Sequence, residues 1–260
     1  MEAFGQDYKV VRIEGAKVLP VINIEQPDRF SCGIASALSI YYPNEENPKV
    51  LNQASNALRG RDKLFIYEEG SELKYEDSLW LAIFVKEIFS GYEKNSIVKK
   101  MRSRRCDVVL YDTKESIEEK YNKSMIRNGK LLDPTDLENL YKKASGLGVD
   151  FAGKLLNLEE LYKKIDEGYY AIVNTGAHWI VVYGYFTAVY SDGKKVELPI
   201  IMDPSTYFEN TSLTNKAFRD YLTLHPLVSM IERKAEVPAI LVKVDGTEPK
   251  NLIVNPAAMK

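Results

Sequence analysis

The sequence predicts an α+β fold. Apolar residues recur at helical spacing through much of the first two thirds of the chain, and strand-like runs crowd the last third. The chain has 260 residues with 45% hydrophobic and 28% charged side chains, which is ample to bury a core and excludes a predominantly disordered protein. With no internal repeat, residues 1–260 read as a single domain with a helical elaboration at about 44–150.

Residues 9–24 read as one or two short strands, broken at Gly15 and Pro20. A polar, turn-like stretch with Pro27 and Asp28 follows. A helix then opens at Cys32: Ile34, Ala35, Leu38 and Tyr41 or Tyr42 recur at helical spacing, Ser31 is the expected N-cap, and Pro43 is the stop. Within 44–130 the signals are sparser. Leu79 to Phe89 reads as a buried helix, Val108 to Tyr111 as a strand and Lys114 to Lys123 as a charged helix. Asp133-Pro134 opens a helix that runs to Ala144 and ends at Gly146 and Gly148. Leu155, Leu158, Leu161 and Ile165 mark one more amphipathic helix. Strands are then expected at Tyr169–Val173, His178–Tyr185, Phe186–Tyr190, Val196–Met202 and Ala239–Val244, with a hairpin turn at Asp192-Gly193.

Composition excludes several function classes. With 35 basic and 37 acidic residues, global charge favours neither nucleic acid nor a membrane surface. Two cysteines, Cys32 and Cys106, and two histidines, His178 and His225, offer no paired ligand spacing for a metal and no disulfide scaffold. The N-terminal residues carry no secretory signal pattern, and the longest apolar stretch, Trp179 to Tyr190, contains a glycine and is too short to span a bilayer. No cofactor, metal or membrane span is expected. The expected location is cytoplasmic, or inside a target cell reached by a route independent of a signal peptide.

Four residues carry the chemistry. Cys32, in the first helical turn, feels the positive end of the helix dipole, which favours thiolate. Gly33 beside it would let a substrate backbone approach. The Gln26 amide, just upstream, can donate to a developing oxyanion. His178 heads the apolar run His-Trp-Ile-Val-Val-Tyr-Gly-Tyr, where rigid scaffolding would hold an imidazole able to take or give a proton. Asp203 follows the apolar run Ile200-Ile-Met and precedes Pro204, and a carboxylate beside the imidazole would orient it. Taken singly, Cys32 and His178 read as packing residues and Asp203-Pro204 as a turn opener; their succession, with Gln26 ahead, is what points to a site. Cys106 follows Arg104-Arg105 but lacks a nearby histidine and a helix start, and His225, in Leu-His-Pro, reads as a loop residue.

The order Gln, Cys, His, Asp is that of papain-like hydrolases, and the Cys32-to-His178 separation lies within the ~130–150 residues of papain-type enzymes. Gln26-Pro-Asp-Arg-Phe-Ser-Cys32-Gly-Ile-Ala-Ser-Ala-Leu resembles the nucleophile motif of the C39-like cysteine peptidases, with Ser31 in place of the usual aspartate. Gly176-Ala-His178-Trp-Ile-Val-Val-Tyr-Gly-Tyr is similar to the family's histidine strand, Ile201-Met-Asp203-Pro-Ser to its Asp-Pro motif, and Asn215-Lys-Ala-Phe218 to the phenylalanine segment that often follows. The resemblance covers about 20–45 and 155–222. It implies a papain-like fold, with the nucleophile helix packed on a C-terminal antiparallel sheet. It also implies Cys32 as nucleophile, His178 as base, Asp203 as orienter and Gln26 as oxyanion donor, acting on a protein or peptide substrate.

Three functions fit this reading. The first is a cysteine peptidase, with a bacterial effector or toxin as one setting. The second is an acyltransferase or deamidase using the same triad. The third is an idle binding module that holds an acidic partner through the six basic residues of 94–105, a run that otherwise reads as a solvated face.

Overall fold

A computed structural model describes residues 10–22, 24, 26, 32–41, 78–90, 104–126, 134–174, 178–204 and 236–252. These form a mixed α+β structure of five helices and one mostly antiparallel sheet of eight strands. The strands are β1 (Val10–Val18), β2 (Cys106–Tyr111), β3 (Val149–Phe151), β4 (Tyr169–Asn174), β5 (Trp179–Tyr190), β6 (Lys195–Met202), β7 (Ala239–Val244) and β8 (Lys250–Leu252). The helices are α1 (Cys32–Tyr41), α2 (Ser78–Ser90), α3 (Lys114–Ile126), α4 (Pro134–Gly146) and α5 (Leu158–Asp166). Among the described residues no helix is long and apolar enough to cross a membrane.

The long strand β5 organises the sheet. β6 pairs with it from Val181 to Val189. A strand has two edges, so β4, paired at Trp179 to Val182, and β1, paired at Gly184 to Tyr190, lie end to end along the other. β7 continues from β4, β2 from β7, and β3 closes that side in the one parallel pairing. Period-2 alternation splits the strands between two cores. Tyr170, Ile172, Trp179, Val181, Ile240 and Val242 face a core shared with α1, α2 and α4. Ala171, Val173, Ile180, Val182 and Leu241 face a second core covered by Leu161, Tyr162 and Ile165 of α5.

Several expectations are refined. β1 is one strand that runs through Gly15, and β5 is one strand where two were expected. β5 stays continuous because a bulge absorbs the irregularity between Val182 and Gly184, and Gly184 lets β1 come close. A Cβ there would stand 2.4 Å from the Lys17 carbonyl oxygen. Segment 44–150 is more than a helical elaboration. It supplies β2 and β3 as well as helices, so it is built into the sheet. The hairpin at Asp192-Gly193 forms as expected, with Gly193 at φ 84° and the Lys194 N–H donating to Asp192 Oδ1 at 2.9 Å. Ser31, Pro43, Asn215-Lys-Ala-Phe218 and His225 lie outside the described residues.

Polar groups fasten the helices. The Asp112 carboxylate, fully buried at the end of β2, accepts from the Ser78 hydroxyl at 2.5 Å, the Lys120 ammonium at 3.0 Å and the Thr113 N–H at 2.9 Å. That joins the start of α2 to α3. Thr113 caps α3 through the Ser116 N–H, and Asn157 caps α5 through the Glu160 N–H. Arg104 donates from its guanidinium to the Tyr41 carbonyl at 2.8 Å and from its backbone N–H to the Phe89 carbonyl at 2.8 Å. A cation at these last carbonyls also complements the α1 dipole. Arg104 thus leaves the solvated face expected for the basic run. Arg105 is exposed, and the other four basic residues lie outside the described residues.

Two glycine replacements separate close approach from mere position in a strand. Gly184→Ala should lower stability by about 1–3 kcal/mol, as overpacking does. Gly15→Ala, with nothing within 4 Å of its added Cβ, should be tolerated. Denaturant midpoints measure both, and equal midpoints for the two variants would contradict the packing at Gly184.

Candidate active site

β5 and β6 bring two expected site residues to one end of the sheet. His178 directly precedes β5, Asp203 directly follows β6, and Val181 pairs with Met202 just inside them. The His178 Nε2–H donates to Asp203 Oδ1 at 2.7 Å. Both side chains are largely but not fully enclosed, at 24% and 13% exposure.

Cys32 enters from the helical layer. It is the first residue of α1 and is buried. α1 packs across β5 and β4, seating the cysteine at the same end of the sheet. Cys32 stands near enough to the His178 ring to help raise the imidazole's pKa. The Ser36 hydroxyl, one turn along α1, donates to the Trp179 carbonyl at 3.3 Å.

Gly33 has a different reason from the one expected. A Cβ on it would meet Leu81 Cδ2 at 3.0 Å and Trp179 Cδ1 at 3.4 Å. Its bare backbone therefore lets α1 settle onto α2 and β5. Sequence reading missed Leu81 because it belongs to the segment outside the recognisable motifs.

Gln26 reaches the site along a strap. The Leu19 N–H donates to the Tyr183 carbonyl at 2.7 Å, the Tyr170 hydroxyl to the Pro20 carbonyl at 2.5 Å, and the Ile22 N–H to the Ser39 carbonyl at 3.2 Å. The Gln26 N–H then donates to the Pro204 carbonyl at 2.7 Å. Gln26 is thereby anchored beside the residue that follows Asp203. His178 and Asp203 are hydrogen-bonded, Cys32 acts on the same ring from α1, and Gln26 adjoins them through its backbone. Nothing in the sequence pattern marked the Pro204 carbonyl as that anchor.

Electrostatics make His178 a strong base. Burial is the largest single influence and works against the charged ring. The hydrogen bonds to Asp203 and Cys32 and the attraction of both groups outweigh it, so the pKa rises from its ordinary 6.5 to about 9. The imidazolium is therefore held below about pH 9 and lost above it. Cys106 is the opposite case. It lies in β2 facing the first core, and burial pushes its thiol up to about 11 despite the neighbouring Lys86 charge.

These contrasts set two expectations for thiol chemistry. At pH 6–7 alkylation should fall on Cys32 and spare Cys106, as peptide mapping by mass spectrometry would read; label on Cys106 first would reverse the assignment. A cation beside the sulfur also favours an anionic reagent. The Cys32 rate ratio of iodoacetate to iodoacetamide should fall as pH rises through about 9. In Asp203→Ala the ring loses the partner that raises its pKa, so the fall should move to lower pH. An unmoved transition would remove Asp203 from the site.

No protein-family model matches the chain and no curated protein does, so Cys32, His178, Asp203 and Gln26 are interpreted from their own geometry.

Proposed function

We propose that the protein is a papain-like cysteine peptidase, similar to the C39-like family, that cleaves an amide bond in a protein or peptide substrate. The observation that carries this reading is the 2.7 Å Asp203–His178 hydrogen bond, with Cys32, at a helix start, acting on the same ring. A helix N-terminus, an imidazolium and a carboxylate behind it form the arrangement that makes a thiol nucleophilic near neutral pH.

Each group then has one task. The Cys32 sulfur gives an electron pair to the substrate carbonyl carbon, and the carbonyl oxygen takes up negative charge. The Cys32 backbone N–H, unpaired within α1 as a first-turn donor, and the Gln26 amide stabilise that oxyanion. His178 hands its proton to the departing nitrogen as the C–N bond breaks, leaving a thioester on Cys32. Water, deprotonated by His178, then attacks the thioester, releasing the acid and leaving the Cys32 sulfur as thiolate beside the again-protonated His178. Asp203 keeps the ring oriented and supports its charge throughout.

Proteome-wide profiling of new N-termini, with Cys32→Ala beside the active protein, tests the reaction. Cleavage should appear only with Cys32 present. Released ammonia, or an amine joined to the acyl group without new N-termini, would instead make the same triad a deamidase or acyltransferase. On a substrate so found, Gln26→Ala should lower kcat by about 10²–10³-fold, the scale for one oxyanion donor, with KM little changed. A loss confined to KM would assign Gln26 to substrate binding.

A further inference from the structure

We propose that Ser36 is a positioning residue that sets the seat of α1 on β5 and thereby the spacing between the Cys32 sulfur and the His178 ring. The inference rests on the reading of these two residues as nucleophile and base, and adds a residue that acts through them. Ser36 stands four positions after Cys32, so the two share a helix face one turn apart. Its hydroxyl is fully buried and donates to the Trp179 carbonyl at 3.3 Å. Trp179 is the residue directly after His178, so a single contact refers the helix that carries the thiol to the strand that carries the base.

A second contact restrains the same seat. Gly33, next to Cys32, lies against the Trp179 ring, where a Cβ would stand 3.4 Å from Cδ1. Trp179 is thus held twice by α1, by its ring at Gly33 and by its carbonyl at Ser36. Gly33 limits how closely the helix approaches, and the Ser36 hydroxyl fixes its position along the strand. At 3.3 Å the bond is long for a hydroxyl donor, which puts its expected effect below that of a full displacement of the base.

Ser39 supplies the control. It is equally buried, three positions further along α1, but its hydroxyl donates to the Ser36 carbonyl within the helix at 2.7 Å and does not bridge to β5. The titratable groups acting on His178 are Asp203, from the end of β6, and Cys32, from α1. Neither serine replacement removes either one.

The experiment compares wild type, Ser36→Ala and Ser39→Ala by the pH dependence of Cys32 alkylation with iodoacetate and iodoacetamide, and by thermal midpoint. Ser36→Ala should slow iodoacetate alkylation at pH 6 by about tenfold, against the roughly 10²-fold that a 1 Å misplacement can cost. It should also bring the alkaline fall in the reagent ratio to lower pH. Ser39→Ala should keep the wild-type profile even where its midpoint drops. A wild-type profile in Ser36→Ala, or the same change in both variants, overturns the positioning role. A wild-type Cys32 that alkylates at pH 6 no faster than a free thiol overturns the hydrolase reading itself, and this is seen before any variant is compared.

Discussion

The pairing of β5 with β6 along one edge, and with β4 and β1 along the other, decides where every group of the candidate site comes to rest. It places His178 and Asp203 on adjoining strand ends. The face it turns toward α1 carries Trp179 and Val181, on which that helix lies. The close approach at Gly184 lets β1 follow the same strand, and Leu19, Ile22 and Gln26 beyond it bond to Tyr183, Ser39 and Pro204. A slip of one residue in the β5–β6 register would reverse the faces of one strand against the other and separate the imidazole from its carboxylate.

Burial and charge are balanced at this end of the sheet. A carboxylate and an imidazolium withdrawn from water lose hydration, and only good geometry with remaining bonds satisfied offsets that loss. Here Asp203 and His178 are largely but not fully enclosed, and their 2.7 Å contact is joined by the influence of Cys32 on the ring. Asp112 solves the same problem differently. Its carboxylate is fully buried and surrounded by a hydroxyl, an ammonium and a backbone N–H, all committed to holding α2, β2 and α3 together. One buried acid serves a joint between elements, and the other stands beside a group that can exchange protons.

The four candidate site residues stand out in the sequence because their types are scarce or their motifs distinctive. With two cysteines and two histidines in the chain, only a few pairings are available, and Gln26 and Asp203-Pro204 stand in short recognisable contexts. Helices with strong apolar spacing, such as Ser78–Ser90 and Leu158–Asp166, were also readable. β3 and β8, each three residues long, are too short to show any period. Gly15 and the bulge near Gly184 made continuous strands look interrupted. The packing role of Gly33 and the anchoring of Arg104 were not legible for a common reason: their partners, Leu81 and the Tyr41 carbonyl, are distant in sequence, and local pattern carries no trace of them.

The sequence separations within the site carry a consequence for how the protein comes into being. His178 and Asp203 are 25 positions apart, on the two arms of one hairpin, so their contact is local and needs little loop closure. The Ser36–Trp179 contact that brings α1 to them spans 143 positions. Base and carboxylate can thus assemble while α1 is still undocked, and the thiol joins them only once the long-range packing is complete. An opening that lifts α1 from β5 would likewise separate the sulfur from the imidazole and leave the hairpin intact. The arrangement lets the Cys32 sulfur meet the imidazole only in the finished fold.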